Sequence, residues 1–121
     1  MTKPFILTAE DRAKLRSRVL TLIKTGHRNA ITGRDIAHAI GQSDDRKVRL
    51  IIRELIAEGV PIASSVSEPM GFYIVANEHE AADYMRVLKE RIREDTVRLR
   101  DFEAACHEFQ IPEQHSLFKE V

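Results

Sequence analysis

Cysteine is nearly absent from this sequence: Cys106 is the only one in 121 residues. A single thiol cannot close an internal disulfide, so an apolar core must hold the fold. A chain of this length can bury one, as a single domain or a small domain with an appendage. Lack of disulfides fits a reducing compartment. No apolar run approaches the roughly 20 residues that a membrane-spanning helix needs. The opening stretch MTKPFILTAEDRAK holds only a short apolar patch, Phe5-Ile6-Leu7, too brief for a secretory leader. The expectation is a cytoplasmic protein with no membrane partner.

Catalytic and metal-binding patterns are also missing. The histidines are His27, His38, His79, His107 and His115, and none has another histidine three or four residues on. His79-Glu80-Ala81-Ala82-Asp83 has the outline of a zincin motif, but Asp83 stands where the second histidine belongs. It reads instead as the acidic first turn of a helix. Cys106 and His107 are adjacent, so on a helix their side chains diverge by about 100°. No Cys-x-x-Cys pair, glycine-rich phosphate loop or Gly-x-Ser-x-Gly elbow occurs. The expectation is no enzyme, no metal and no cofactor.

Net charge is lacking too, with 19 basic against 19 acidic side chains. Taken alone, that balance argues against a polyanion partner. The distribution reverses the argument. Residues 1–53 carry 12 basic and 5 acidic side chains, a balance of +7, and residues 54–121 carry 7 and 14, a balance of −7. A basic half joined to an acidic half is the pattern of a polyanion-binding face with a separate acidic segment.

Periodicity then orders the chain. Thr8 is a good N-cap, and Leu15, Val19, Leu22 and Ile23 share one helical face, which predicts a helix over 9–25 closed by Gly26. His27–Ile31 has room for a brief strand. Thr32 caps a second, two-turn helix with Ile36, Ala37 and Ile40 inside, and Gly41 ends it. Ser43 or Asp44 caps a third helix that runs to Glu58 and Gly59. Its apolar face is Val48, Ile51, Ile52, Leu55 and Ile56, with Arg46, Leu50 and Arg53 opposite and Lys47 and Arg49 on the flanks. Val60–Ala63 and Phe72–Val75 flank a Ser/Pro/Gly turn, which predicts a hairpin.

From Asn77 no proline or glycine occurs before Pro112, so a helix of about 48 Å is predicted over 78–109. Ala81, Met85, Leu88, Ile92, Asp95, Leu99, Phe102, Cys106 and Phe109 follow a 4-3 spacing, a heptad seam with one polar interruption at Asp95. The expectation is that its first turns fold onto the preceding domain and that the rest pairs with a second copy. Met85, Leu88, Ile92, Leu99, Phe102, Cys106 and Phe109 would form that dimer seam. Three parts result: a domain over 1–76, a long helix over 77–110 and a tail over 111–121.

The order helix, short strand, short helix, turn, basic helix, hairpin resembles a winged helix. The stretch ITGRDIAHAIGQSDDRKVRLIIRELIAEGVPIASSVSEPMGFYIV carries the resemblance. It looks like the winged helix–turn–helix of the biotin operon repressor and its relatives, over about 45 residues. The implied fold is mainly α with a small β-hairpin: a three-helix core plus wing, followed by a long dimerisation helix. The implied function is sequence-specific binding of double-stranded DNA by a homodimer that regulates transcription. The third helix would lie in the major groove. Asp45, Arg46, Arg49, Leu50 and Arg53 would face base edges, with Ser43, Asp44 and Lys47 near the backbone. Thr32, Arg34 and Ser43 would meet phosphates at helix N-termini, and Arg28 and Lys47 would neutralise phosphates. Two features depart from the pattern. The hairpin loop from Ser64 to Met70 has no basic residue and contains Glu68. Asp44 and Asp45 suit the helix dipole as caps but repel phosphate; an aspartate can also accept from cytosine N4. The competing expectation is a winged-helix protein–protein adaptor, a replication or phage accessory factor, with a second protein bound through the acidic C-terminal part.

Overall fold

Short polar caps start the helices, and glycines stop two of them. The computed structural model describes residues 8–111. In order, these form α1 (Ala9–Leu22), a 3₁₀ turn (His27–Asn29), α2 (Gly33–Ala39), α3 (Arg46–Ala57), β1 (Ile62–Ser65), β2 (Gly71–Ile74) and α4 (Glu78–Glu108). Thr8 Oγ1 accepts from the Asp11 N–H at 3.1 Å, and Thr32 Oγ1 from the Asp35 N–H at 3.0 Å. At the other ends, Gly41 and Gly59 adopt positive φ and close α2 and α3 with the same pair of reversed hydrogen bonds. Gln42 N–H donates to Ala37 O at 2.8 Å, and Val60 N–H to Leu55 O at 3.0 Å. The turn between α2 and α3 is therefore tightly defined by backbone alone.

The core is built from one face of each helix plus the first strand. Leu15 and Val19 of α1, Ile36 and Ala37 of α2, and Val48, Ile51, Ile52 and Leu55 of α3 are buried with Ile23, Ile40 and Ile62. Two ion pairs clamp α1 to α3 at the surface: Arg12 Nε to Glu54 Oε1 at 3.1 Å, and Arg16 to Glu58. Ile56 departs from the expected inner face. It is 46% exposed, because it lies at the margin of the arc centred on Ile52 and Leu55.

The hairpin forms as predicted, with a different register of ends. β1 and β2 pair antiparallel, Ile62 with Ile74 through Ser65 with Gly71. Val60 instead completes the α3 terminus, and Pro61 precedes the strand. The outer edge of β2 is also occupied. Gly26 N–H donates to Ile74 O and Ile74 N–H to Lys24 O, both at 2.8 Å, while Ile31 and Phe72 exchange bonds of 3.0 and 2.7 Å. This pairing explains two corrections. α1 stops at Leu22 rather than 25, because Lys24–Gly26 are extended against β2. The brief strand expected over His27–Ile31 is a single bridge at Ile31, preceded by the 3₁₀ turn. Gly71 makes the pairing possible. Its φ is +127°, and a Cβ there would lie 2.3 Å from the Ile31 carbonyl carbon and oxygen.

Asn77 Oδ1 caps α4 by accepting from the Glu80 N–H at 2.9 Å. The Glu80 carboxylate reaches further than a capping box: it accepts from Ala76 N–H at 2.8 Å and from His27 N–H at 2.9 Å. Two compact units result, one reaching Tyr84 and one starting at Met85. The first turns of α4 fall in the first unit, where Glu80 ties them to the 3₁₀ turn. Among the described residues no helix is long and apolar enough to cross a membrane. Of the tail expected over 111–121, only Ile111 belongs to the described residues; the remainder lies outside them.

Candidate nucleic-acid interface

The helix–turn–helix brings the starts of α2 and α3 together. A Cβ on buried Gly33 would stand 3.0 Å from Asp45 Oδ2 and 3.2 Å from the Phe72 ring, so the start of α2 lies directly against the Asp45 side chain at the start of α3. A shallow depression beside this junction is lined by Arg34 and His38 of α2 and by Ser43 and Asp44 of the turn. Thr32, Arg34, Ser43, Asp45 and Arg46 therefore come from separate segments to one region. His38 is an addition here, since the sequence singled it out for no role.

Each acidic residue at the start of α3 has a defined local task. Asp44 Oδ1 accepts from the Arg46 N–H at 3.0 Å, which settles the capping side chain as Asp44 rather than Ser43. Its Oδ2 lies 3.7 Å from Arg46 Nη2. Asp45 occupies the N-cap position without a side-chain cap bond. Its Oδ2 instead accepts from Arg49 Nε at 2.8 Å, one turn along the helix. That bond ties the guanidinium by its Nε to Asp45, and the Arg49 side chain is otherwise largely exposed.

Along the outer side of α3, Arg46, Arg49 and Arg53 are exposed and Lys47 is half-buried. Leu50 differs from its expected place opposite the core. It is half-buried and packs against the core cluster. Arg28 is exposed on the 3₁₀ turn, whose His27 Nε2 lies 3.4 Å from Ser67 O in the hairpin loop. It thus belongs with the hairpin rather than with α3. Arg12 and Arg16, part of the basic excess of the N-terminal half, are directed to Glu54 and Glu58.

The hairpin loop presents no cation. Val66 is 88% exposed at its tip, and Ser65 Oγ is held by Ser67, whose N–H donates to it at 3.1 Å. Tyr73 is buried, with its ring centroid 5.2 Å from that of His27, so it offers no stacking platform. Burial first, and then the charges of Glu80 and Asp83, push its phenol up from the ordinary tyrosine value.

On α4 the expected seam is open. Ile92 is 66%, Phe102 62% and Phe109 81% exposed, Met85, Leu88 and Leu99 are exposed as well, and Cys106 is intermediate. His79 Nε2 lies 3.3 Å from Asp83 Oδ2 one helical turn on. No group of three or more histidine, cysteine or carboxylate side chains among the described residues could hold a metal ion. Comparison with protein-family models, with curated proteins and with solved structures finds no match.

Proposed function

We propose that the chain is a winged-helix protein that binds double-stranded DNA as a homodimer and regulates transcription, with α3 as the reader in the major groove. The observation that carries this reading is the helix–turn–helix itself. Its apolar side packs into the core through Val48, Ile51, Ile52 and Leu55, and its outer side holds Arg46, Lys47, Arg49 and Arg53. Ile31 bridges Phe72 at the outer edge of β2, just before α2, where a winged helix places a short strand. The Asp45–Arg49 bond orients a guanidinium whose free nitrogens match guanine O6 and N7, a contact that discriminates by about 1–3 kcal/mol. Arg34 and Ser43 stand at the same junction as phosphate contacts. The exposed α4 seam supplies the dimer, and a two-fold protein matches two half-sites about one helical turn, or a multiple, apart.

The triple change Arg46→Ala, Arg49→Ala and Arg53→Ala tests the reader. Affinity for duplex DNA is expected to fall by roughly 100-fold or more at low salt, with the salt dependence reduced by about three counterions. Unchanged affinity would remove α3 as the reader.

A second reading, a winged-helix adaptor for another protein, rests on one specific observation. The hairpin tip carries an exposed Val66 and no cation, where a DNA-contacting wing offers Lys or Arg. Loss of DNA binding at all salt concentrations, with the fold intact, favours it.

A further inference from the structure

The open seam of α4 carries more than the fact of pairing: the charges beside it choose a direction. The inference rests on the homodimer reading and specifies its geometry. In heptad terms Met85, Ile92, Leu99 and Cys106 are a positions, and Leu88, Asp95, Phe102 and Phe109 are d positions. Lys89, Thr96 and Glu103 then fall at e, and Tyr84, Arg91, Arg98 and Ala105 at g. Residues 89, 91, 96, 98 and 103 are all exposed. The flanking residues of a coiled coil meet across the interface and set partner and orientation.

We propose that two copies of α4 pair parallel and in register. In that arrangement each g residue meets the e residue five positions later on the second helix. Arg98 meets Glu103 of the second copy, twice by symmetry. Arg91 meets Thr96 and Tyr84 meets Lys89, so no like charges oppose each other at these flanking positions.

Antiparallel pairing brings e against e and g against g. With Ile92 opposite Asp95 of the second copy, Arg91 meets Arg98 twice along the g edge. Sliding by one heptad brings Lys89 against Glu103 twice but sets Arg98 against Arg98. Sliding the other way sets Lys89 against Lys89 and Arg91 against Arg91. Like charges in such positions oppose pairing.

Asp95 points the same way. A parallel pair confines both carboxylates to one d layer, where they repel each other but leave every other layer apolar. An antiparallel pair sets each Asp95 against Ile92 or Leu99, or Met85 after the opposite shift. That spoils two apolar layers and leaves each carboxylate facing a group that cannot bond it. Parallel pairing also starts the two α4 helices side by side. Both readers are then attached at the same end of the pair, as adjacent half-sites require.

Cys106 makes the direction measurable in the full chain. In the parallel register it faces Cys106 of the second copy across an a layer, within the roughly 4.4–6.8 Å Cα separation that a disulfide spans. With Ile92 opposite Asp95, Cys106 instead faces Ala81, and the two thiols stand about 37 Å apart along the helix. The experiment combines light scattering of the reduced protein, mild oxidation read on a non-reducing gel, and the charge reversals R98E and E103R. Circular dichroism checks that each variant retains its helix.

The expected result is a dimer that crosslinks at a rate unchanged by tenfold dilution. R98E or E103R alone should weaken the dimer roughly tenfold by replacing two attractions with two repulsions. R98E together with E103R should restore it. A dimer that does not crosslink, or that R98E tightens, overturns the parallel direction and leaves the homodimer standing. A monomer at tens of micromolar overturns the homodimer reading itself.

Discussion

Gly71 is the residue on which the sheet edge depends. A methyl group there would need to occupy space 2.3 Å from the Ile31 carbonyl, at a φ of +127° that side chains rarely adopt. Gly71→Ala is expected to lower stability by about 3 kcal/mol in urea unfolding; a loss under about 1 kcal/mol would contradict the close approach. Glu80 is the second singular residue. The N–H groups of His27 and Ala76 donate to its carboxylate and hold its pKa below the ordinary value of 4.5. The folded form therefore favours the ionised carboxylate. Its contribution is present above pH 4.5 and is lost as pH falls through the lowered value. Glu80→Gln should speed hydrogen exchange at the His27 and Ala76 amides at neutral pH. Unchanged protection would show that those amides do not depend on the carboxylate.

Neither residue's task was legible in the sequence, although both elements around them were. Gly71 reads as turn chemistry, and nothing local reveals that the strand beside it is Ile31. Glu80 reads as a capping box, yet its second oxygen serves an amide 53 residues away. What could be read was local: Thr8 and Thr32 as caps, glycine stops at Gly41 and Gly59, and the apolar arc from Val48 to Leu55. What could not be read was set by non-local partners. The end of α1 depends on β2, and the carboxylates of Asp44 and Asp45 are divided between an amide and Arg49.

Among the elements, α2 is the most dependent on its surroundings. Seven residues make too short a helix to persist alone, so its cap and its packing both matter. Thr32→Ala removes the bond to the Asp35 N–H and should cost about 1 kcal/mol in thermal or urea unfolding; an unchanged midpoint would contradict the cap. In α3 the two sides carry different work, and Leu50 separates them. It stands between arginines in the heptad of the reader, yet it packs onto the core cluster. Leu50→Ala is expected to lower stability by about 1–2 kcal/mol, less than a fully buried leucine would. Its DNA salt dependence should stay that of the wild type. Weaker DNA affinity at unchanged stability would place Leu50 in the interface instead.

At the scale of the molecule, a net charge of zero conceals a division of labour. Part of the basic excess of the N-terminal half is internal, since Arg12 and Arg16 pair with Glu54 and Glu58. Of the rest, Arg34, Arg46, Lys47, Arg49 and Arg53 lie on α2 and α3, beside Asp35, Asp44 and Asp45. The acidic half includes a helix whose apolar seam is open. Truncation after Lys89 removes most of that seam and is expected to give a monomer by light scattering; a truncated chain that stays dimeric would remove the heptad argument.

The central claim is that the exposed face of the helix–turn–helix engages the phosphate backbone and bases of DNA. Titration of the full chain with generic duplex DNA at about 50 and 200 mM salt tests it most directly. A protein making several phosphate contacts should bind at the lower salt and weaken by about 10²–10³-fold at the higher. Absence of binding at the lower salt, or equal affinity at both, would contradict it.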